Sequence, residues 1–265
     1  MIKAGLLKEW FYFWRNFRFG GVILLYAGCA LMYPLAFALM NAVAPQMEEF
    51  GLVMHDDALM EIGLQTSFMM SLGLISGAVI FVLIIIMGAA GKEQTKRSIV
   101  MPQTAGLTIA GYVLPKFMLF PPVIFAVSVA SMLVTGAACK VVFGVSYSVE
   151  TTLLTGAIIG TYSMFLVCMY LFFGISFASP GMSVLYVLAA DTAFGALITF
   201  GLKVDKYTPW NLIEMVNPII SGGKTDANDI IITVAITLTL SVIFMLLTLF
   251  VMTAKRLDNT SDVVY

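Results

Sequence analysis

Six stretches of this chain run for about twenty residues or more with almost no charge, and nothing else in it limits the possible folds as strongly. They cover Gly21–Ala44, Phe68–Ala90, Phe117–Cys139, Thr152–Phe177, Met182–Leu202 and Ile230–Ala254. Each is long enough, at about 1.5 Å per residue, for the roughly 30 Å hydrocarbon layer of a bilayer. Five contain no Asp, Glu, Lys or Arg, and the sixth, Met182–Leu202, holds only Asp191. The fourth and fifth are parted only by Ala178-Ser179-Pro180-Gly181, a turn signal. The runs are continuous rather than alternating, so helices are expected in place of barrel strands. The expected fold is all-α and integral to the membrane, with residues 1–265 forming one transmembrane domain of six helices.

Composition excludes the main alternatives. Hydrophobic residues make up 60% of the chain and charged residues 11%, with a mean hydropathy of +0.99. Soluble globular chains carry about 25% charged residues, so part of the solvent here must be lipid. A net charge of −1 gives no basic field for nucleic acid, and no nucleic-acid partner is expected. Cys29, Cys139 and Cys168 fall in or beside apolar runs. An odd set at lipid level is neither a disulfide framework nor a zinc site, so they read as small apolar fillers. No cleavable signal peptide is expected, because the first apolar run is long enough to span and stay.

Lys and Arg set the expected orientation. With six crossings both termini share one side. That side carries ten basic residues: Lys3, Lys8, Arg15, Arg18, Lys92, Lys96, Arg97, Lys116, Lys255 and Arg256. The other carries four: Lys140, Lys203, Lys206 and Lys224. The termini are therefore expected in the cytoplasm, and the setting is a bacterial cell membrane. The first outer loop, Pro45–Thr66, has five acids and no Lys or Arg, which fits the outside face. His55, the one histidine, reads as a surface residue of that loop.

Residues 3–18 predict an amphipathic helix lying at the membrane surface. At 100° per residue, Leu6, Leu7, Trp10, Phe11, Phe13, Trp14 and Phe17 share one face, and Lys8, Glu9, Tyr12, Arg15 and Asn16 the other. Arg18 follows, and Gly20-Gly21 is expected to turn the chain into the first span. The elbow residues of interest are Trp10, Phe11, Trp14, Arg15 and Arg18.

The segment 91–116 is the longest charged interruption on the expected cytoplasmic side. A short helix is predicted over Lys92–Val100, with Glu93 near its N-terminus and Lys96 and Arg97 toward its C-terminus, each favourable to the helix dipole. Pro102 ends it, and Thr104–Lys116 is expected to run along the surface. Ile99, Val100 and Met101 offer an apolar patch for a partner groove.

An acidic residue after the second span, then a Thr, a short helix, a Pro and a Lys opening the third span is a pattern that resembles ABC-2 type permeases. These are the membrane subunits of one class of ATP-binding-cassette exporters. Here it reads Glu93, Thr95, Pro102 and Lys116. The N-terminal helix, the span count and the length also resemble that family. So does Trp210–Gly222, WNLIEMVNPIISG, which is similar to its short re-entrant helices. The resemblance implies a second permease subunit, as a homo- or heterodimer. It also implies a cytoplasmic ATPase subunit docked on Lys92, Glu93, Thr95, Lys96, Arg97 and Pro102, with ATP and Mg bound in that partner. No cofactor is expected in this chain. Gly222-Gly223-Lys224-Thr225 is not a phosphate loop, because Pro218 stands where the loop needs its first Gly.

Asp191 is the clearest intramembrane acid. It is expected either to line a substrate path or to be hydrogen-bonded inside the bundle, for instance to Thr192, Tyr186 or another helix. Gly73/Gly77 and Gly156/Gly160 form two GxxxG patterns for close packing. Pro34, Pro121 and Pro122 are candidate kinks, and the 18 methionines fit a deformable lining. The expected function is the membrane path of an exporter for an amphipathic or hydrophobic cargo: a peptide toxin or bacteriocin, a drug-like compound or a lipid-linked molecule. The alternatives are a membrane anchor or immunity protein that transports nothing, and an intramembrane enzyme using Asp191.

Overall fold

The computed structural model describes residues 2–48, 57–87, 108–145, 147–177, 179–199, 207–221, 223 and 226–261. Every regular element among them is an α-helix: α1 Ile2–Arg15, α2 Arg18–Glu48, α3 Asp57–Ile85, α4 Ile109–Phe143, α5 Val149–Ser176, α6 Pro180–Thr199, α7 Asn211–Ile220 and α8 Ala227–Ser261. Five of these, α2, α3, α4, α5 and α8, are long and apolar enough to cross a membrane. The apolar stretch of α6, Gly181–Ala196, is shorter than the roughly 20 residues a crossing needs.

Helix α5 is apolar on all sides, and a helix of that kind must be surrounded by other helices or lipid. Here it is surrounded by helices. In its apolar window 83% of residues are buried, against 22% in α2 and in α8. It packs against α3, α4, α6, α7 and α8. The broad outer faces of α2 and α8 are left uncovered, with Leu24, Leu39, Leu246 and Phe250 all exposed.

The most extensive helix pairing is α4 with α5, and glycine makes it possible. A Cβ on Gly156 would lie 3.2 Å from Val129 Cα, and one on Gly160 2.8 Å from the Phe125 ring and 3.1 Å from the Phe125 carbonyl oxygen. Gly136 faces Thr152 in the same way. The pairing 125–160, 129–156 and 136–152 is antiparallel. Gly73 and Gly77, in contrast, have nothing within 4 Å among the described residues, so the first GxxxG pattern mediates no packing there. Gly160→Ala is expected to destabilise the fold by about 1–3 kcal/mol through overpacking. Gly73→Ala is expected to be neutral or slightly stabilising, as in any helix interior. Chemical unfolding in detergent reads both, and equal stabilities would contradict this packing.

The antiparallel pairing places the helix ends. The start of α4 and the end of α5 lie together. Lys255, late in α8, donates to the Ser176 carbonyl at the end of α5. Ile85, closing α3, meets Gly21 near the start of α2. Helix α1, the ends of α3, α5 and α8 and the start of α4 therefore share one end of the bundle. Residues 88–107 leave and rejoin the described structure at that same end.

Buried Ser and Thr on α8 satisfy themselves. Thr233, Thr237, Ser241 and Thr248 each donate to the carbonyl four residues earlier, which lets small polar groups sit in an apolar interior.

Three expectations need correction. The surface path expected for Thr104–Lys116 is helical from Ile109 onward. Thr108 caps it by accepting from Gly111 N at 3.1 Å, and the helix continues through Pro115, Pro121 and Pro122. The turn between α1 and α2 does not use Gly20-Gly21, which lie inside α2. It is made at Phe17, whose φ of 53° is left-handed, and it is closed by Phe17 N donating to Trp14 O. The third correction concerns Glu9, whose surroundings belong to the site.

Candidate functional site

Two side-chain assemblies stand out, one at the end of the bundle bearing α1 and one in its middle.

The first joins α1 to α4. Gly5, Glu9 and Phe13 recur every four residues and so form one stripe of α1. A Cβ on Gly5 would lie 2.7 Å from both the Gly111 carbonyl and Pro115 Cγ, so the two backbones nearly touch. Phe13, fully buried, meets Phe120 edge-on at 5.4 Å. Between them Lys116 Nζ donates to Glu9 Oε1 at 2.6 Å, with side-chain exposures of 1% and 5%. Lys116 Nζ also lies 4.9 Å from the Tyr112 ring centroid. Glu9 was expected on the solvated face. It is buried because Gly5 lets α1 approach α4 closely enough for the carboxylate to meet the ammonium. Lys116, expected to open a span at the surface, is likewise enclosed.

The expected apolar face of α1 therefore divides. Phe13 turns inward, while Leu7, Trp10, Phe11 and Trp14 stay exposed. Trp14 packs on Phe19 of α2 at 4.5 Å and edge-on to Trp10 at 5.8 Å. Arg15 is exposed. Arg18 is half-buried, with its guanidinium 4.8 Å from the Tyr12 ring centroid.

The second assembly centres on Asp191. Its Oδ1 accepts from the Tyr162 hydroxyl of α5 and, at 3.1 Å, from Trp210 Nε1, just ahead of α7. The Trp210 indole is gripped on its faces too. Phe194, one turn beyond Asp191, stacks on it at 4.0 Å and 18°. Phe165, one turn beyond Tyr162, meets it edge-on at 5.5 Å. Two i, i+3 pairs on neighbouring helices thus hold one indole. Leu212, Val216 and Ile220 bury the inner face of α7, and Tyr207 ties the preceding segment to α8 through Asp229 at 3.2 Å.

Phe165 lies roughly 24 Å along α5 from its start, at about 1.5 Å per residue. Trp210 therefore sits deep in the bundle, and α7 starts inside it rather than on its rim. Of the expected partners, Thr192 instead bonds Leu188 O in its own helix, and Tyr186 packs on Phe173. The alternative of a partner on another helix is the one found, through Tyr162 of α5; neither Tyr162 nor Trp210 was named by the sequence. Their only trace in the sequence is the repeated spacing of Tyr162–Phe165 and Asp191–Phe194. A carboxylate has about four lone-pair positions, so two donors on Oδ1 leave acceptor capacity on Asp191.

Lys92, Glu93, Thr95, Lys96, Arg97 and Pro102 lie outside the described residues, as does His55. No group of three or more metal-binding side chains occurs among the described residues.

Among the described residues the fold is all-helical, with five helices of membrane-crossing length and a half-buried acid at a three-helix joint. No protein-family model, curated protein or solved structure matches this chain.

Proposed function

We propose that this chain is the membrane-spanning permease subunit of an ATP-driven exporter, working with a second permease subunit and a separate cytoplasmic ATPase. The observation that carries the reading is the joint between α1 and α4. Helix α1 is locked to α4 by the buried Glu9–Lys116 pair, at the end of the bundle where residues 88–107 leave and return. A partner that moves that loop moves the start of α4, and through the ion pair it moves α1. This end faces the cytoplasm by the bias of Lys and Arg. Helix α1 lies at the membrane surface, with Trp10, Phe11 and Trp14 among the headgroups and Lys8 and Arg15 toward water. Helix α6, whose apolar stretch is short but whose full length from Pro180 to Thr199 is 20 residues, makes the sixth crossing in this reading, and α7 is a re-entrant helix on the outer side, held at depth by Trp210. Asp191 borders the path of an amphipathic cargo, and its remaining acceptor capacity suits a cationic group.

The test is purification of the chain from its native membrane in mild detergent, with identification of what stays bound. A stoichiometric soluble ATPase is expected. Glu93→Arg is expected to lose it while leaving the melting temperature of the permease unchanged. A chain that purifies alone, even after cross-linking, would sink the reading.

A further inference from the structure

The outer face of the α2–α4 pair carries a trough, and small residues keep it open. Phe19, Ile23 and Ala27 form its stripe on α2, and Val123, Ala126, Ala130 and Val134 its stripe on α4, because residues three and four apart share a helix face. With alanine at 27, 126 and 130 the stripes leave about 390 Å³ between them. That is within the roughly 300–1,000 Å³ of sites that hold a small organic ligand. Ala126 and Ala130 are exposed, so the trough opens on the outside of the bundle. Its wall is apolar. The Ser131 hydroxyl donates to Ser128 O in its own helix at 2.7 Å, and the Tyr26 hydroxyl is buried.

The trough has two ends, and the distance between them selects the occupant. Trp10 of α1 stands at one end, against Phe19 at 6.3 Å. Beyond Ala27 and Val134, the Thr135 hydroxyl donates to the Ala30 carbonyl at 3.2 Å, and the two helices meet. From Val123 to Val134 is about 16 Å at 1.5 Å per residue, close to half of the roughly 30 Å hydrocarbon layer. A helix from a partner protein would need the full depth. The acyl chain of a lipid in one leaflet needs half.

Charge at the mouth selects the headgroup. The stretch 2–21 carries Lys3, Lys8, Arg15 and Arg18 against one acid, Glu9, and Lys116 already holds Glu9. Arg15 follows Trp14 and Arg18 precedes Phe19, and these two rings pack together at 4.5 Å. The first turn of α2 holds no acid, so its dipole adds to the positive charge there. Basic residues at a membrane surface attract anionic lipids. A second apolar groove, of about 630 Å³ between α4, α5 and α8, has the opposite sign at its edge, where Asp226 and Asp229 precede Ile230.

We infer that the trough holds one acyl chain of an anionic phospholipid from the leaflet on the α1 side, with the headgroup phosphate beside Arg15 and Arg18. The lipid fastens α1 and the start of α2 to α4 from outside, as the Glu9–Lys116 pair does from within. This rests on the chain crossing a membrane and not on an ATPase: a chain that purifies without an ATPase still retains the lipid.

Native mass spectrometry of the chain, released from nanodiscs of equal parts phosphatidylglycerol and phosphatidylcholine with identical acyl chains, tests this. One phosphatidylglycerol is expected to stay bound, several-fold in excess of phosphatidylcholine. Ala126→Phe fills the trough from its exposed rim and is expected to cut that retention several-fold. Ala235→Phe fills the second groove and is expected to leave it unchanged. Arg15→Gln with Arg18→Gln is expected to abolish the preference between the two lipids. Phosphatidylglycerol with a diazirine on its acyl chain reads the unaltered chain directly, with adducts expected within residues 19–27 and 123–134. Equal retention of the two lipids, equal effects of the two Phe substitutions, or adducts spread evenly over the five long helices would each overturn the inference.

Discussion

Glu9→Ala is expected to destabilise the folded chain by about 3–5 kcal/mol, the usual consequence of stranding one member of a buried ion pair. With the carboxylate gone, the ammonium of Lys116 remains between α1 and α4 at 1% exposure, beside the Tyr112 ring. Lys116→Ala should do similar damage by stranding Glu9. The double change Glu9→Leu with Lys116→Leu should recover most of the loss, because a buried pair can often be replaced by apolar residues of similar size at little cost. A double-mutant cycle by chemical unfolding in detergent measures the coupling. Additive single effects would mean that the two groups do not meet in solution. A surface pair would be worth no more than about 1 kcal/mol, so magnitude alone separates a buried joint from an incidental contact.

The second large effect is expected at Asp191. Asp191→Ala removes the acceptor of both Tyr162 and Trp210. A stranded buried donor costs about 1–3 kcal/mol; the buried Tyr162 hydroxyl is stranded in full and the half-buried Trp210 N–H in part. Asp191→Asn keeps an acceptor oxygen and should lose far less. Trp210 reports the local outcome. The chain has 3 tryptophans, and replacing the exposed Trp10 and Trp14 with Phe leaves Trp210 as the sole emitter. Its fluorescence should shift to the red in Asp191→Ala, as the indole loses its partner and the start of α7 loosens, and should hold in Asp191→Asn. An unchanged emission in Asp191→Ala would show that the aromatic grip of Phe165 and Phe194 holds Trp210 without the carboxylate.

The class of fold could be read from the sequence because lipid solvent imposes a coarse and sustained constraint. Long uncharged runs admit few structures, and Thr152–Phe177, with no polar face, proved to be the helix that others surround. Side-chain pairing was harder to read. Glu9 looked like one more polar residue on an amphipathic helix, since helical periodicity assigns a residue to a face without saying what lies opposite. Its partner is 107 residues away, and only Gly5 one turn earlier hinted at a close approach. The two GxxxG patterns were equivalent as text, yet one packs and one faces outward, because the motif permits contact without supplying a neighbour. Asp191 drew attention by its cost in an apolar run. Its partners could not be named, because Trp210 reaches it through a chain path that periodicity does not describe.

The central claim is that the end of the bundle bearing α1 and residues 88–107 receives a cytoplasmic ATPase. The most direct measurement places a photo-cross-linking amino acid at position 96, inside that loop, and separately at Val149, which starts α5 at the opposite end and is 69% exposed. Both chains would be illuminated in native membranes and the adducts identified. The account predicts a nucleotide-binding subunit cross-linked from position 96 and none from position 149. No such adduct from position 96, or equal adducts from both ends, would contradict it.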